Sequence, residues 1–101
     1  MDTNKRTVRL LDEAMADAET AIDWYRDHAD DEIASRLAQE VDAALEQIAN
    51  WPFSGRAYDA TTRCLLLRTF PFLVLYRVTS DAIEILAVAH ERRAPGFWRG
   101  R

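Results

Sequence analysis

The chain has 101 residues, 49% of them hydrophobic and 30% charged, with one cysteine, Cys64; that is one domain's length, enough for a small core, with no internal disulfide and a fit to a reducing, cytoplasmic setting. The net charge of −4 is uneven: residues 1–50 carry five Lys/Arg against 13 Asp/Glu, and residues 51–101 carry eight Arg against four Asp/Glu. An acidic total argues against nonspecific polyanion binding and against direct sequence-specific DNA binding by this chain alone, no apolar run approaches the roughly 20 residues of a membrane span, and the N-terminus has no signal-peptide core.

Residues 7–11 (TVRLL) predict a short strand, and residues 1–6 a loose end. Asp12 offers an N-cap, with Glu13 in the first turn, and Ala14, Ala18, Ala21, Ile22 and Tyr25 then recur at helical spacing to about Asp27. His28 stands near that helix's C-terminus, where a cation suits the helix dipole. Asp30 or Asp31 caps a second helix whose apolar stripe runs Ile33, Leu37, Val41, Ala44, Leu45 and Ile48, ending near Asn50 ahead of Pro52. So short a break makes the pair an antiparallel hairpin.

WPFSGRAYDATT then reads as a loop. CLLLRTF, FLVLYRV and AIEILAVAH read as three strands, with Pro71 at a boundary because it lacks an N–H. The fold class is α+β, in the order β-α-α-β-β-β: an N-terminal strand and a helical hairpin packed on one face of a small antiparallel sheet. The other face is left open for a partner. Alternation in FLVLYRV puts Arg77 with Leu73 and Leu75 on that open face, and Tyr76 with Phe72, Val74 and Val78 on the other. In AIEILAVAH, both alternating sets are too apolar to assign a face to His90.

These pieces, taken in order from about residue 7 to 98, resemble the RelE/ParE superfamily, the toxins of type II toxin–antitoxin pairs. VRLLDEAMAD resembles the family's strand-to-helix opening, ALEQIANWPFSGR its second helix and Pro…Gly exit, and FPFLVLYRV its central strand. AIEILAVAHERRAPGFW resembles the last strand, the histidine, and the Arg-Arg-x-Pro-x-aromatic-Trp tail of ParE-like members. The resemblance implies a single toxin domain over residues 1–101, held inactive by a protein antitoxin seated on the open sheet face. Arg63, Arg77, Ile85 and Ala87 are the expected antitoxin contacts.

Two targets are known within the superfamily. ParE-like members poison DNA gyrase, and RelE-like members cut mRNA in the ribosomal A site. A metal-free nuclease needs proton-transfer groups and cations around the phosphate, for which His90, Arg68 and Arg77 are the candidates. Against it, no lysine follows Lys5, the net charge is negative, and no Tyr follows the last strand: Phe97 and Trp98 occupy the tail, and neither can exchange protons. A gyrase poison needs only a shaped surface with arginine and aromatic anchors, for which Arg92, Arg93, Phe97 and Trp98 are expected. A third class is a degenerate member that binds its antitoxin and harms nothing. No cofactor is expected, and two histidines with one cysteine do not make a metal site.

Structural roles compete with each of these. His90 caps a strand, Arg92 and Arg93 pair with the acidic front half, Trp98 folds back over the core edge, and Tyr76 packs in the core. Trp24 and Trp51 read as packing residues, Cys64 as a small buried apolar group, and residues 99–101 as a loose end.

Overall fold

In the computed structural model, which describes residues 6–101, β1 (Thr7–Leu10) leads into α1 (Asp12–His28) and α2 (Asp31–Asn50). β2 (Arg56–Ala57), β3 (Arg63–Leu66), β4 (Phe72–Val78) and β5 (Ala82–His90) follow. The expected loose N-terminal end therefore lies, but for Arg6, outside the described residues. α1 starts without a side-chain cap, Leu11 being its N-cap; Asp12 and Glu13 instead sit in the first turn, where the helix dipole favours carboxylates. α2 has the expected cap: Asp30 Oδ1 accepts the Ile33 N–H at 2.8 Å. His28 closes α1 with its ring stacked on Trp24, 4.4 Å between centroids, and its Nδ1 2.8 Å from the Trp24 carbonyl.

The sheet order is β1-β5-β4-β3-β2. β2 to β5 are antiparallel, but β1 lies parallel to β5, Val8 opposite Ile83 and Leu10 opposite Ile85, so the sheet is mixed. The chain reaches β5 from β1 only after the helices and three further strands, and such a long connection permits a parallel return. β3 is shorter than its apolar run predicts. It stops at Leu66 because Glu40 of α2 captures the Thr69 N–H and hydroxyl and holds residues 67–71 as a loop.

The helices cover one face. Leu37, Val41, Ala44 and Ile48 of α2 and Ala14 of α1 bury against Val74, Tyr76, Ile83, Ile85 and Val88. Tyr76 is fully enclosed and belongs to this core. Its hydroxyl donates to the Pro52 carbonyl at 2.8 Å and accepts the Gly55 N–H at 3.0 Å, tying the α2 exit loop to the sheet.

The face expected to be open is largely covered. The tail turns back across it, burying Trp98 to 4% exposure against Cys64, Leu75, Leu86, Ala87 and Ala89. Burying one large aromatic is worth about 1.5–3 kcal/mol, enough to seat the tail. Residues 99–101 are tied as well: Arg99 reaches Asp59 at 3.0 Å, and Arg101 reaches Asp17 at 2.7 Å.

Candidate functional site

A β-bulge shapes the site. In the β4–β5 ladder Leu75 faces Ala87 and Tyr76 faces Ile85, so Leu86 is the extra residue. Alternation reverses there. Ile83 and Ile85 point into the helix-covered core, Leu86, Ala87 and Ala89 into the tail-covered cluster, and Val88 back toward the helices.

His90 follows that reversed phase. It pairs with Phe72, its ring edge-on to that ring at 5.4 Å between centroids. Its Nδ1 accepts the Arg92 N–H at 3.1 Å, which leaves the proton of a neutral ring on Nε2. Its carbonyl accepts the Arg93 N–H at 2.9 Å, and the Glu91 N–H reaches the Pro71 carbonyl at 2.9 Å. His90 therefore caps the strand and organises the turn carrying both arginines.

Arg92 and Arg93 are exposed on that turn, and Arg93 lies over the Phe97 ring at 3.8 Å. Phe97 is half-buried and edge-on to Trp98, itself edge-on to Tyr58. Of the four expected target anchors, Arg92, Arg93 and Phe97 are reachable, whereas Trp98 is a wedge beneath them. Arg92 and Arg93 make no ion pair with the acidic front half among the described residues; Arg101 instead reaches Asp17 of α1, and Arg99 reaches Asp59 in the loop before β3. Between this turn and β2–β3 runs a groove of about 580 Å3, with Arg56, Arg92 and Arg93 around it, Tyr58, Phe97 and Trp98 as walls, and Leu66, Leu73 and Ala89 on its floor. Arg56, Tyr58 and Leu66 are not among the expected site residues: the stretch before β3 carries no periodic signal that shows which way Arg56 and Tyr58 face, and CLLL is apolar at every position, so alternation does not single out Leu66.

The three residues a nuclease would need are not brought together. Arg77 is on the tail side of the sheet, its guanidinium 2.6 and 2.8 Å from Glu84 Oε1. It lies five positions along β4 from Phe72, the partner of His90, which at strand spacing is roughly 17 Å. Arg68 is exposed in the β3–β4 loop.

The expected antitoxin contacts also divide. Ile85 and Ala87 are both fully enclosed, the first under the helices and the second under the tail. Arg63 is spent on the exit loop, donating to the Phe53 and Gly55 carbonyls. Arg77 remains part-exposed beside Glu84. Among the described residues no group of three or more His, Cys, Asp or Glu is placed to hold a metal ion, and no helix is long and apolar enough to cross a membrane.

Two carboxylates anchor the tail. Asp59 accepts the Thr61 and Thr62 N–H groups and the Arg99 guanidinium, and these bonds hold its carboxyl down at about 2. Asp17 of α1 accepts the Val88 N–H at 3.1 Å as well as Arg101, and Arg101 also reaches the Leu86 carbonyl at 3.2 Å. These β5 groups lie beyond the reach of the short β1, so two side chains satisfy an edge that no strand covers.

Comparison with known proteins gives one answer. The family model described as the ParE toxin of type II toxin-antitoxin system, parDE, matches residues 8–95. A Sinorhizobium fredii protein, Y4kP, is 34% identical over 86 residues, 84% of this chain and 80% of the relative. Toxin ParE2 of Mycobacterium tuberculosis is 33% identical over 90 residues, 89% of this chain and 86% of the relative. The same fold occurs in a chain of the chromosomal ParDE TA system from P. aeruginosa, with TM-score 0.77 and 22% identity over 85% of this chain and 96% of that one. The bulged strand, the arginine turn and the tucked tryptophan thus belong to a member of the ParE toxin family of type II toxin–antitoxin systems.

Proposed function

We propose that this toxin acts by binding rather than by chemistry: it engages DNA gyrase through Arg92, Arg93 and Phe97 and so arrests replication in the cytoplasm until a protein antitoxin covers it. The observation that carries this reading is the turn after β5, where two guanidiniums without carboxylate partners among the described residues and an aromatic ring are presented together. Arginine and aromatic side chains clustered on a fixed scaffold are the usual anchors of a protein interface. His90 supports the reading because its Nδ1 is engaged in holding that turn. Trp98 contributes from below, as the packed wedge that fixes Phe97.

The test is plasmid supercoiling by purified gyrase. The toxin should inhibit it, and a folded Arg92→Ala/Arg93→Ala variant should not. Undisturbed supercoiling together with cleavage of translated mRNA would contradict the proposal.

A further inference from the structure

Three successive N–H groups of the turn after β5 are held by different anchors. The Arg92 N–H goes to His90 Nδ1 at 3.1 Å and the Arg93 N–H to the His90 carbonyl at 2.9 Å, so both acceptors belong to the turn itself. The Glu91 N–H goes instead to the Pro71 carbonyl at 2.9 Å, in the loop between β3 and β4. The orientation of the turn on the domain therefore depends in part on where that loop puts one carbonyl.

The Phe70 carbonyl accepts the Phe72 N–H at 2.8 Å, a three-residue turn about Pro71, whose ring fixes its own φ and leaves its carbonyl for Glu91. Leu67 and Phe70 are buried in the helix-covered core, which sets the depth of the loop, but apolar contacts have no direction. Direction comes from Glu40, half-buried on α2. One of its oxygens accepts the Thr69 N–H at 2.9 Å and the other the Thr69 hydroxyl, so a single carboxylate grips one residue twice. Burial opposes the ionisation of Glu40, but the bonds from Thr69 and the Arg68 guanidinium outweigh it and hold the carboxyl below the usual carboxylate range. The grip is thus charge-assisted, the stronger kind of hydrogen bond. A continuous line of contacts runs from Glu40 to Thr69, along the loop to Pro71, and across to Glu91 beside Arg92 and Arg93.

We infer that Glu40 is a positioning residue of the target-binding turn: by gripping Thr69 it sets the Pro71 carbonyl that orients Arg92 and Arg93, and it acts through them rather than on the target. The inference rests on the reading that these arginines meet the target. Holding the turn in its bound orientation lowers the ordering cost of association. Loosening the grip therefore weakens target binding without removing any anchor.

The test compares toxin carrying Glu40→Ala, Glu40→Gln or Glu46→Ala in plasmid supercoiling by purified gyrase, with hydrogen exchange of the Glu91 amide followed by NMR. Glu40→Ala should raise the toxin concentration for half-inhibition about tenfold and speed Glu91 exchange. Glu40→Gln can still accept from the Thr69 N–H and donate to its hydroxyl, so it should restore most of both. Glu46→Ala removes the same charge from an exposed site on α2 and should change neither. If Glu40→Ala does not fold, Thr69→Val, which removes the hydroxyl, replaces it with the same direction expected. Unchanged inhibition, or unchanged Glu91 exchange, in the folded variant overturns the inference and leaves the gyrase reading standing. A loss in Glu40→Gln equal to that in Glu40→Ala also overturns it, because charge rather than the grip would then be what matters. If the unaltered toxin leaves gyrase untouched, that reading falls and Glu91 exchange alone decides: faster exchange in Glu40→Ala upholds the positioning role, and unchanged exchange overturns it.

Discussion

Arg101 and Asp17 are 84 positions apart in sequence, yet Nη1 of the first lies 2.7 Å from Oδ2 of the second. The pair joins the tail to α1 and closes the strip of β5 that β1 leaves bare, because Asp17 also holds the Val88 N–H and Arg101 the Leu86 carbonyl. Both side chains are mostly shielded from water, with 18% and 13% of their surface exposed.

Replacing Asp17 by alanine should therefore cost more than a typical surface ion pair, since it also strands a backbone N–H. The expected loss is about 1–3 kcal/mol, read by urea unfolding. Arg101→Ala should cost less, because water can reach the groups it releases. A negligible effect of Asp17→Ala would mean that the tail is not held by this pair.

Gly55 is where a tight approach requires the residue. A Cβ there would sit 2.4 Å from Tyr76 Oη and 2.6 Å from the Cys64 carbonyl oxygen. Gly55→Ala should destabilise by about 1–3 kcal/mol through overpacking. Tyr76→Phe should cost a similar amount by leaving the Gly55 N–H and the Pro52 carbonyl without their partner. The two losses should not add in the double variant, because both loosen the same loop. Additive losses would show that the hydroxyl and the glycine act independently.

Asp59 predicts an acid-dependent tail. Its carboxyl sits at about 2 when folded against about 3.9 in an unfolded chain. A depressed carboxyl contributes stability that is complete above the unfolded value and lost as pH falls through the folded one, so the tail should loosen between roughly pH 4 and 2. Trp98 reports it, being buried while Trp24 and Trp51 are exposed. In a Trp24→Phe/Trp51→Phe background, acrylamide quenching should rise across that window, and Asp59→Asn should flatten the rise. An unchanged profile would dissociate Asp59 from the tail.

Much of this was legible in the sequence. Asp30 announced the second helix, and the Leu37-Val41-Ala44-Ile48 stripe its buried face. Parity in β4 placed Arg77 away from the helices, because that strand is straight in its pairing. Parity assigned no face in β5 because both alternating sets are apolar; in the structure both faces of that strand are covered and one inserted residue, Leu86, reverses the alternation, and nothing local in AIEILAVAH marks a bulge. The tail sequence fits Trp98 both as an anchor and as a fold-back. The second holds in this structure, since a large apolar cluster around Leu75 and Ala87 leaves the ring better buried than exposed. The parallel β1 and the Asp17–Arg101 pair depend on contacts across the whole chain, beyond any window of sequence.

Trp98 and the exposed anchors should separate in experiment. Trp98→Ala should destabilise by about 3–5 kcal/mol and abolish toxicity by unseating the tail. Arg92→Ala/Arg93→Ala should shift stability by no more than about 0.5 kcal/mol and still abolish toxicity. Thermal unfolding read beside growth arrest makes the distinction. Full toxicity in the folded double variant would remove these arginines from the target interface.

The most direct measurement is a pulse of antitoxin-free expression in which incorporation of labelled thymidine and labelled methionine is followed separately. A gyrase poison acting through the turn after β5 predicts that DNA synthesis stops first while translation continues, and that Arg92→Ala/Arg93→Ala restores it. Translation stopping within minutes, with DNA synthesis failing only later, would contradict the binding mechanism and return His90 and Arg68 to consideration as catalysts.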